Sequence, residues 1–230
     1  MPVVGVAVPL FNEGPLVDRV ATAYIDGLEA TGLQWRLVLV DNGSTDDTRA
    51  RVRGWTQVPG VEGVFLDEND GYGGGIQAGL DRLRARPPAF IGWGWGDGQV
   101  DARVLPTLVH ALQHGAHVAK VRRVSRHDGW QRRVVTRTYA RLHHLLGARS
   151  ADVNGCPKLL TWTAFQQANL RSRDWFLDPE LVLLAEARGW TVVEVPAAME
   201  PRAAGRSKVN WRTAAALGAQ VLAWRMGARR

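Results

Sequence analysis

The sequence predicts an α/β fold in which a mostly parallel sheet is flanked by helices. Short apolar runs of strand length alternate with longer amphipathic stretches, which is typical of parallel strands joined by crossover helices. Hydrophobic residues make up 46% of the 230 residues and charged residues 22%, enough apolar material for a substantial core. The same composition argues against an intrinsically disordered chain.

The first half of the chain shows this alternation most regularly. The predicted strands are the apolar runs at residues 3–8, 35–40, 61–66 and 89–95. The predicted helices cover residues 16–31, a segment after the turn at 42–45, and a segment that ends near residue 86. Gly32 closes the first helix, Ser44 or Thr45 caps the second, and Pro87 stops the third.

The second half is less regular. Helices are expected at 104–114, at 175–188, at 209–226 and before Gly147, and strands at 116–124 and 191–195. A loop is expected over residues 196–207. We therefore expect one domain over residues 1–208, followed by a basic amphipathic helix over 209–230.

The chain is strongly basic, with a formal charge of +7 and a pI near 10.4. This balance favours anionic partners such as phosphates, nucleic acid or an acidic membrane surface. The basic residues do not follow an RNP, KH or zinc pattern, so nucleic acid is not expected. The stretch 120–137 is rich in basic residues, and near its end apolar side chains interleave with arginines, which suits a helix lying on a membrane; the alternative is a helix packed on the core. The interleaved residues are Trp130, Val134, Val135 and Tyr139 with Arg132, Arg133, Arg137 and Arg141.

A single cysteine, Cys156, excludes a disulfide framework and indicates a reducing compartment. No secretory signal and no apolar run of spanning length are visible. We expect a cytoplasmic protein, with peripheral attachment to the inner face of the membrane left open.

Polar residues follow the four predicted strands of the first half: Glu13, Asp41, Asn69 and Asp97. In a parallel α/β sheet, ligands bind beyond the carboxyl ends of the strands. The topology is therefore expected to gather these residues along one edge of the sheet.

Asp97 lies in Trp-Gly-Asp-Gly-Gln directly after a buried strand, with glycines that let a ligand approach the backbone. A carboxylate there could hold Mg²⁺ or Mn²⁺ on a nucleoside diphosphate. The alternative is a turn-forming Asp-Gly pair. Asp41 could contact a nucleobase or ribose, or could cap a turn.

Residues 71–75, after Asn69, are expected to form a glycine-rich loop that cradles phosphate at a helix start. A late basic segment with Arg202, Ser207 and Lys208 could grip phosphates, or could be a solvated charge run. Lys158 has the same two interpretations.

Several fragments taken in order resemble glycosyltransferase family 2, above all its dolichol-phosphate mannosyltransferase and polyprenyl-phosphate glycosyltransferase group. They are the segments 6–13, 37–48, Asn69 with its glycines and Ala78-Gly79, Gly96-Asp97-Gly98-Gln99, 152–160 and 202–208. The resemblance implies a GT-A type, Rossmann-like fold. It also implies inverting transfer of a sugar from a UDP- or GDP-sugar to a polyprenyl phosphate, with Mg²⁺ or Mn²⁺.

The resemblance also implies roles for single residues. Pro9, Phe11, Glu13 and Asp41 would bind the base and ribose, and Asn69 and Gly71 would complete the donor site. Asp97 would hold the metal as the last acid of the DXD motif, and Gln99 would sit beside the diphosphate. Lys158, Arg202, Ser207 and Lys208 would meet donor or acceptor phosphates, so the implied catalytic set is Asp97, Gln99, Arg202 and Lys208.

The sequence departs from the family pattern at three places. Trp95 replaces the first acid of the DXD motif, Asn42 replaces the second acid of DDGS, and Cys156-Pro157 replaces Gly-Phe. Two alternatives follow: a soluble family 2 enzyme acting on a small-molecule hydroxyl, and an inactive nucleotide-binding module. A hydroxyl acceptor would need a carboxylate base, for which Asp152 and Asp178 are candidates.

Overall fold

A computed structural model describes residues 2–125 and 150–200 of the chain. Its strands form one sheet in the order β3-β2-β1-β4-β6-β5-β7. They are β1 (Val3–Leu10), β2 (Gln34–Asn42), β3 (Val61–Leu66), β4 (Phe90–Trp93), β5 (Val118–Ser125), β6 (Lys158–Thr161) and β7 (Val192–Ala198). The helices are α1 (Val17–Glu29), α2 (Thr48–Trp55), α3 (Gly71–Arg84), α4 (Leu105–Gln113), α5 (Trp162–Ala168) and α6 (Leu177–Ala187).

The expected mostly parallel sheet is confirmed. β1 runs parallel to β2 and β4, β2 runs parallel to β3, and β5 runs parallel to β7. β6 is the exception, because it lies antiparallel between β4 and β5. The sequence analysis missed β6 and α5, which have only 4 and 7 residues and offer too few positions to show a period.

Helices cover both faces of the sheet. Side chains alternate along a strand, so Val6 and Val8 of β1 pack with α1 and α4, while Ala7 faces the side covered by α3 and α6. All three are fully excluded from solvent. Burial on both faces explains why these strands are nearly continuous apolar runs.

The predicted glycine loop at 71–75 is wrong, because α3 begins at Gly71 and includes these glycines. Their role is close packing. A Cβ on Gly75 would lie 2.8 Å from Asn42 Nδ2, and one on Gly79 would lie 2.6 Å from the Cβ of Ala7. The missing side chains let α3 lie close against β1 and β2, although glycine lowers intrinsic helix stability.

Several sequence predictions lie outside the described residues. They are Arg202, Ser207, Lys208, the helices at 209–226 and before Gly147, and the domain boundary at 208. The longest helix within 2–125 and 150–200 has 14 residues, and none there is long and apolar enough to cross a bilayer.

Candidate active site

The loops that follow β1 and β2 are tied to each other. The Asn12 backbone N–H donates to Ser44 Oγ at 3.0 Å, and the Thr45 N–H donates to Asn12 Oδ1 at 2.8 Å. The Glu13 N–H donates to Thr48 Oγ1 at 3.0 Å. These bonds place the segment of Pro9, Phe11 and Glu13 beside the turn that follows Asp41.

Asp41 is fully buried, and its carboxylate already has partners. Oδ1 accepts from the Ser44 N–H at 3.1 Å, and Oδ2 accepts from Arg49 Nε at 2.6 Å. Arg49 also donates to the carbonyl of Leu66, so it joins the ends of β2 and β3. The sequence analysis missed Arg49. Contact between Asp41 and a nucleobase stays a prediction.

Asn42 joins the end of β2 to the start of α3. Its Nδ2 donates to Asn69 Oδ1 at 3.2 Å and to the Gly71 carbonyl at 2.9 Å, while its Oδ1 accepts from the Asp70 N–H at 3.1 Å. The amide both donates and accepts here, whereas an ionised carboxylate could only accept. This explains locally why asparagine stands in place of the family's acid.

The turn that carries Asp97 follows β4 and lies against the end of β1. The Gly94 N–H donates to the Ala7 carbonyl at 3.0 Å, and a Cβ on Gly96 would lie 2.6 Å from the Pro9 carbonyl oxygen. Asp97 Oδ1 accepts from the Gln99 N–H at 3.1 Å. Asp97 and Gln99 both remain partly accessible to solvent.

Gln99 is hydrogen-bonded to Glu200, which lies just before the late basic segment. Its Nε2 donates to the Glu200 carbonyl at 3.0 Å, and the Glu200 N–H donates to the Gln99 carbonyl at 2.8 Å. Residue 200 therefore lies beside the Asp97 turn.

Contacts between neighbouring loops thus run along the carboxyl ends of β3, β2, β1 and β4. The expected edge is present, and it brings together the loops of Asn69, Asp41, Glu13 and Asp97. The ligand contacts of the individual side chains stay predictions.

The donor atoms near Asp97 suit a hard divalent cation. Asp97 offers carboxylate oxygen and Gln99 an amide oxygen, and Mg²⁺ is commonly held by one or two carboxylates together with substrate phosphates. Among residues 2–125 and 150–200, no three His, Cys, Asp or Glu side chains come together as a cage of their own. The residues therefore fit a cation that binds with a diphosphate.

Lys158, expected at a phosphate, is fully excluded from solvent. Its Nζ lies 2.7 Å from Asp178 Oδ1. Trp93 Nε1 donates to the same oxygen at 3.1 Å, and the Tyr72 hydroxyl donates to Oδ2 at 2.9 Å. The structure therefore shows an internal ion pair, and a phosphate contact of Lys158 stays a prediction.

Two basic residues of the 120–137 stretch lie in the expected strand and turn inward, whereas the residues of the expected interfacial helix lie outside the described part of the chain. Lys120 is fully buried and donates to Ser150 Oγ at 3.0 Å and to Glu194 Oε1 at 3.1 Å. Arg123 donates from Nε and Nη2 to the two oxygens of Asp152, at 2.7 and 2.6 Å. Both lie in β5, where Lys120 is buried and 10% of the Arg123 side chain is exposed.

Asp152 is held in its ionised form. Burial alone would raise its pKa, but the hydrogen bonds and charge of Arg123 outweigh this and hold the pKa at about 2, against an ordinary 3.8.

We expect the Asp152–Arg123 pair to make the free energy of unfolding depend on pH in the acidic range. The pair contributes about 2 kcal/mol to the free energy of unfolding. This contribution is fully present above about pH 4 and is lost as the pH falls towards 2. In urea unfolding, Asp152→Asn is less stable than wild type at pH 5, and the gap narrows by that amount at pH 2. A difference in stability between wild type and Asp152→Asn that stayed the same at pH 5 and pH 2 would contradict the lowered pKa of Asp152.

Comparisons with known proteins agree with the geometry. The family model described as glycosyl transferase family 2 matches residues 5–175. An undecaprenyl-phosphate 4-deoxy-4-formamido-L-arabinose transferase from Edwardsiella ictaluri is 28% identical over 209 residues, 89% of this chain and 62% of that protein. A dodecaprenyl-phosphate galacturonate synthase from Rhizobium johnstonii is 39% identical over 115 residues, 46% of this chain and 31% of that protein.

An uncharacterized glycosyltransferase from Mycobacterium tuberculosis is 32% identical over 222 residues, 90% of this chain and 89% of that protein. The chain thus spans less than two thirds of the length of the first two relatives.

Solved structures share the fold. Glucosyl-3-phosphoglycerate synthase from Mycobacterium tuberculosis, in complex with Mn²⁺, UDP and glucosyl-3-phosphoglycerate, matches with a TM-score of 0.70 and 19% identity over 98% of this chain and 80% of that chain. Its complex with Mg²⁺ and UDP matches with a TM-score of 0.70, 18% identity and the same coverage. At this identity the likeness concerns the fold alone.

Proposed function

The chain belongs to glycosyl transferase family 2, and on this basis we propose that it transfers a sugar from a UDP- or GDP-sugar to a polyprenyl phosphate. Its fold is of the GT-A type, as the resemblance implied. The observation that carries the proposal is the Asp97–Gln99 turn at the edge where β3, β2, β1 and β4 end.

The donor's diphosphate would lie at the Asp97 turn. A bound Mg²⁺ or Mn²⁺ would stabilise the negative charge that develops on the departing diphosphate. Asp97 and Gln99 would hold that cation through their side-chain oxygens. Arg202, Ser207 and Lys208 would meet the phosphates, and the hydrogen bonds between Gln99 and Glu200 support this because they hold the chain two residues before Arg202.

The acceptor is proposed to be a lipid phosphate because, within residues 2–125 and 150–200, neither carboxylate considered as a base suits that role. A phosphate monoester is largely ionised near neutral pH, so it can attack the anomeric carbon without losing a proton to the protein. The attack forms the new C–O bond as the bond to the diphosphate breaks, with inversion. A hydroxyl acceptor would instead need its proton removed.

The two carboxylates considered for that role are poorly suited to it. Asp152 has a pKa of about 2 and is paired with Arg123, so it is a very weak base. Asp178 is buried and accepts from Lys158, Trp93 and Tyr72. These contacts favour the phosphate acceptor over a small-molecule hydroxyl.

The location of such an enzyme follows from its acceptor. Polyprenyl phosphate resides in a membrane, and a net charge of +7 would favour an anionic membrane surface. We therefore propose a cytoplasmic protein attached peripherally to the inner face of the membrane.

A donor screen tests the proposal. We expect one UDP- or GDP-sugar, incubated with a polyprenyl phosphate and Mn²⁺, to give a product whose mass equals that of the lipid phosphate plus one sugar residue. The lipid without its phosphate serves as the control and gives no product. Transfer to hydroxyl acceptors alone would refute the lipid assignment, and nucleotide binding without transfer to any acceptor would point to the inactive nucleotide-binding module.

A further inference from the structure

Trp95 stands where the family pattern has an acid, and its indole edge is hydrogen-bonded inside the protein. The indole Nε1 donates to the Tyr72 hydroxyl at 3.0 Å, and that hydroxyl donates to Asp178 Oδ2 at 2.9 Å. Burial, and next the charge of Asp178, raise the pKa of Tyr72 well above its ordinary value. The phenol therefore keeps the proton that it donates to Asp178.

The face of the same indole is also occupied. The Arg123 guanidinium carbon lies 5.0 Å from the centre of the Trp95 ring, at a distance typical of a cation–π contact. Asp152 holds that guanidinium through two hydrogen bonds. The Trp95 carbonyl accepts from the Tyr24 hydroxyl of α1 at 3.3 Å. The residue is thus held at its edge, its face and its backbone.

Trp95 lies two residues before Asp97 and four before Gln99. A carboxylate at position 95 would have no N–H to donate to the Tyr72 hydroxyl and no ring face for Arg123. The indole instead supplies a neutral donor that suits its surroundings. The side chain and backbone of Trp95 therefore anchor the chain just before the Asp97–Gln99 turn.

We propose that Trp95 is a positioning residue that fixes the Asp97–Gln99 turn for the cation and diphosphate by anchoring it to Tyr72 and Arg123. The proposal rests on the proposed function, because it assigns the turn to the donor's diphosphate. It assigns part of the nucleotide affinity to a residue that acts by holding the turn and not through a contact with the ligand.

The test measures binding directly. Wild type, Trp95→Phe, Tyr72→Phe and the double variant are titrated with UDP and with GDP in the presence of Mn²⁺ by calorimetry, and their melting temperatures are recorded. Trp95→Phe keeps a ring for Arg123 and removes the N–H, while Tyr72→Phe removes the hydroxyl that receives it. Trp55→Phe is the matched control, because Trp55 Nε1 donates to Asp18 Oδ1 at 2.8 Å between α2 and α1, outside the candidate site.

We expect Trp95→Phe to weaken binding of the preferred nucleotide with Mn²⁺ by about three- to tenfold, the usual net effect of one hydrogen bond. Adding Trp95→Phe to Tyr72→Phe changes affinity by less than about twofold, because the shared hydrogen bond is already gone. Trp55→Phe binds like wild type. If Trp95 had only a structural role, Trp95→Phe would lower the melting temperature but would not weaken nucleotide binding in this non-additive way.

Unchanged affinity in Trp95→Phe, or fully additive losses in the double variant, would overturn the proposal. Nucleotide binding by wild type without transfer to polyprenyl phosphate would refute the proposed acceptor and leave this inference standing. Wild type that binds neither nucleotide would refute both.

Discussion

Asp97→Asn is expected to lower kcat/KM for sugar transfer by at least about 100-fold, the scale seen when one electrostatic contact to a transition state is removed. Asparagine keeps an oxygen that can accept from the Gln99 N–H, so the turn is retained while the negative charge is lost. The measurement is product mass over time at saturating and subsaturating donor, with Mn²⁺ varied. We expect higher Mn²⁺ to restore little activity.

Asp101→Asn is the matched control for this variant. The Asp101 carboxylate also accepts from a backbone N–H two residues ahead, that of Arg103, at 2.9 Å. It lies in the same segment, and no role in binding the donor is proposed for it. Asp101→Asn is expected to stay within about twofold of wild type. An Asp97→Asn enzyme that retained a tenth of wild-type activity would remove Asp97 from the proposed metal site.

Lys158→Met is expected to lower the free energy of unfolding by about 3 to 5 kcal/mol, because it leaves the buried carboxylate of Asp178 without its cation. The Lys158 and Asp178 side chains are only 0% and 3% exposed, so water cannot replace the lost partner. The loss is a large fraction of the 5 to 15 kcal/mol typical of a native protein. Urea unfolding at neutral pH measures it.

Two further variants separate a structural role of Lys158, as the ion-pair partner of Asp178, from a role in binding phosphate. Arg51→Met breaks exposed ion pairs with Asp18 and Asp47 and should leave the free energy of unfolding nearly unchanged. Lys158→Met combined with Asp178→Asn should recover part of the loss, because the buried charge is then removed as well. Should Lys158→Met instead unfold like wild type and bind the acceptor weakly, the ammonium would be a phosphate ligand after all.

The candidate site was only partly predictable from the sequence. Local sequence patterns predict where a residue lies relative to a strand or helix, but they do not predict which distant residue it pairs with. Asp97 was found because it follows a buried strand and precedes glycine, and the structure places it at the expected edge. Arg49 was missed because nothing in a helical Thr-Arg-Ala-Arg segment indicates that one guanidinium turns back to Asp41. Lys158 was noticed, but its partner Asp178 lies 20 residues away on a different element.

The amino-acid sequence alone determined the order of the main strands and helices, the sheet edge at which they converge and the membership of a family. These follow from apolar periodicity and from short motifs, which are properties of neighbouring residues. Only the tertiary structure decided that α3 begins within the glycines, that β6 enters antiparallel and that Trp95 reaches Asp178 through Tyr72. The physical reason is that burial and hydrogen bonding join residues as far apart as Tyr72 and Asp178, 106 positions along the chain, and no local pattern encodes such a pairing.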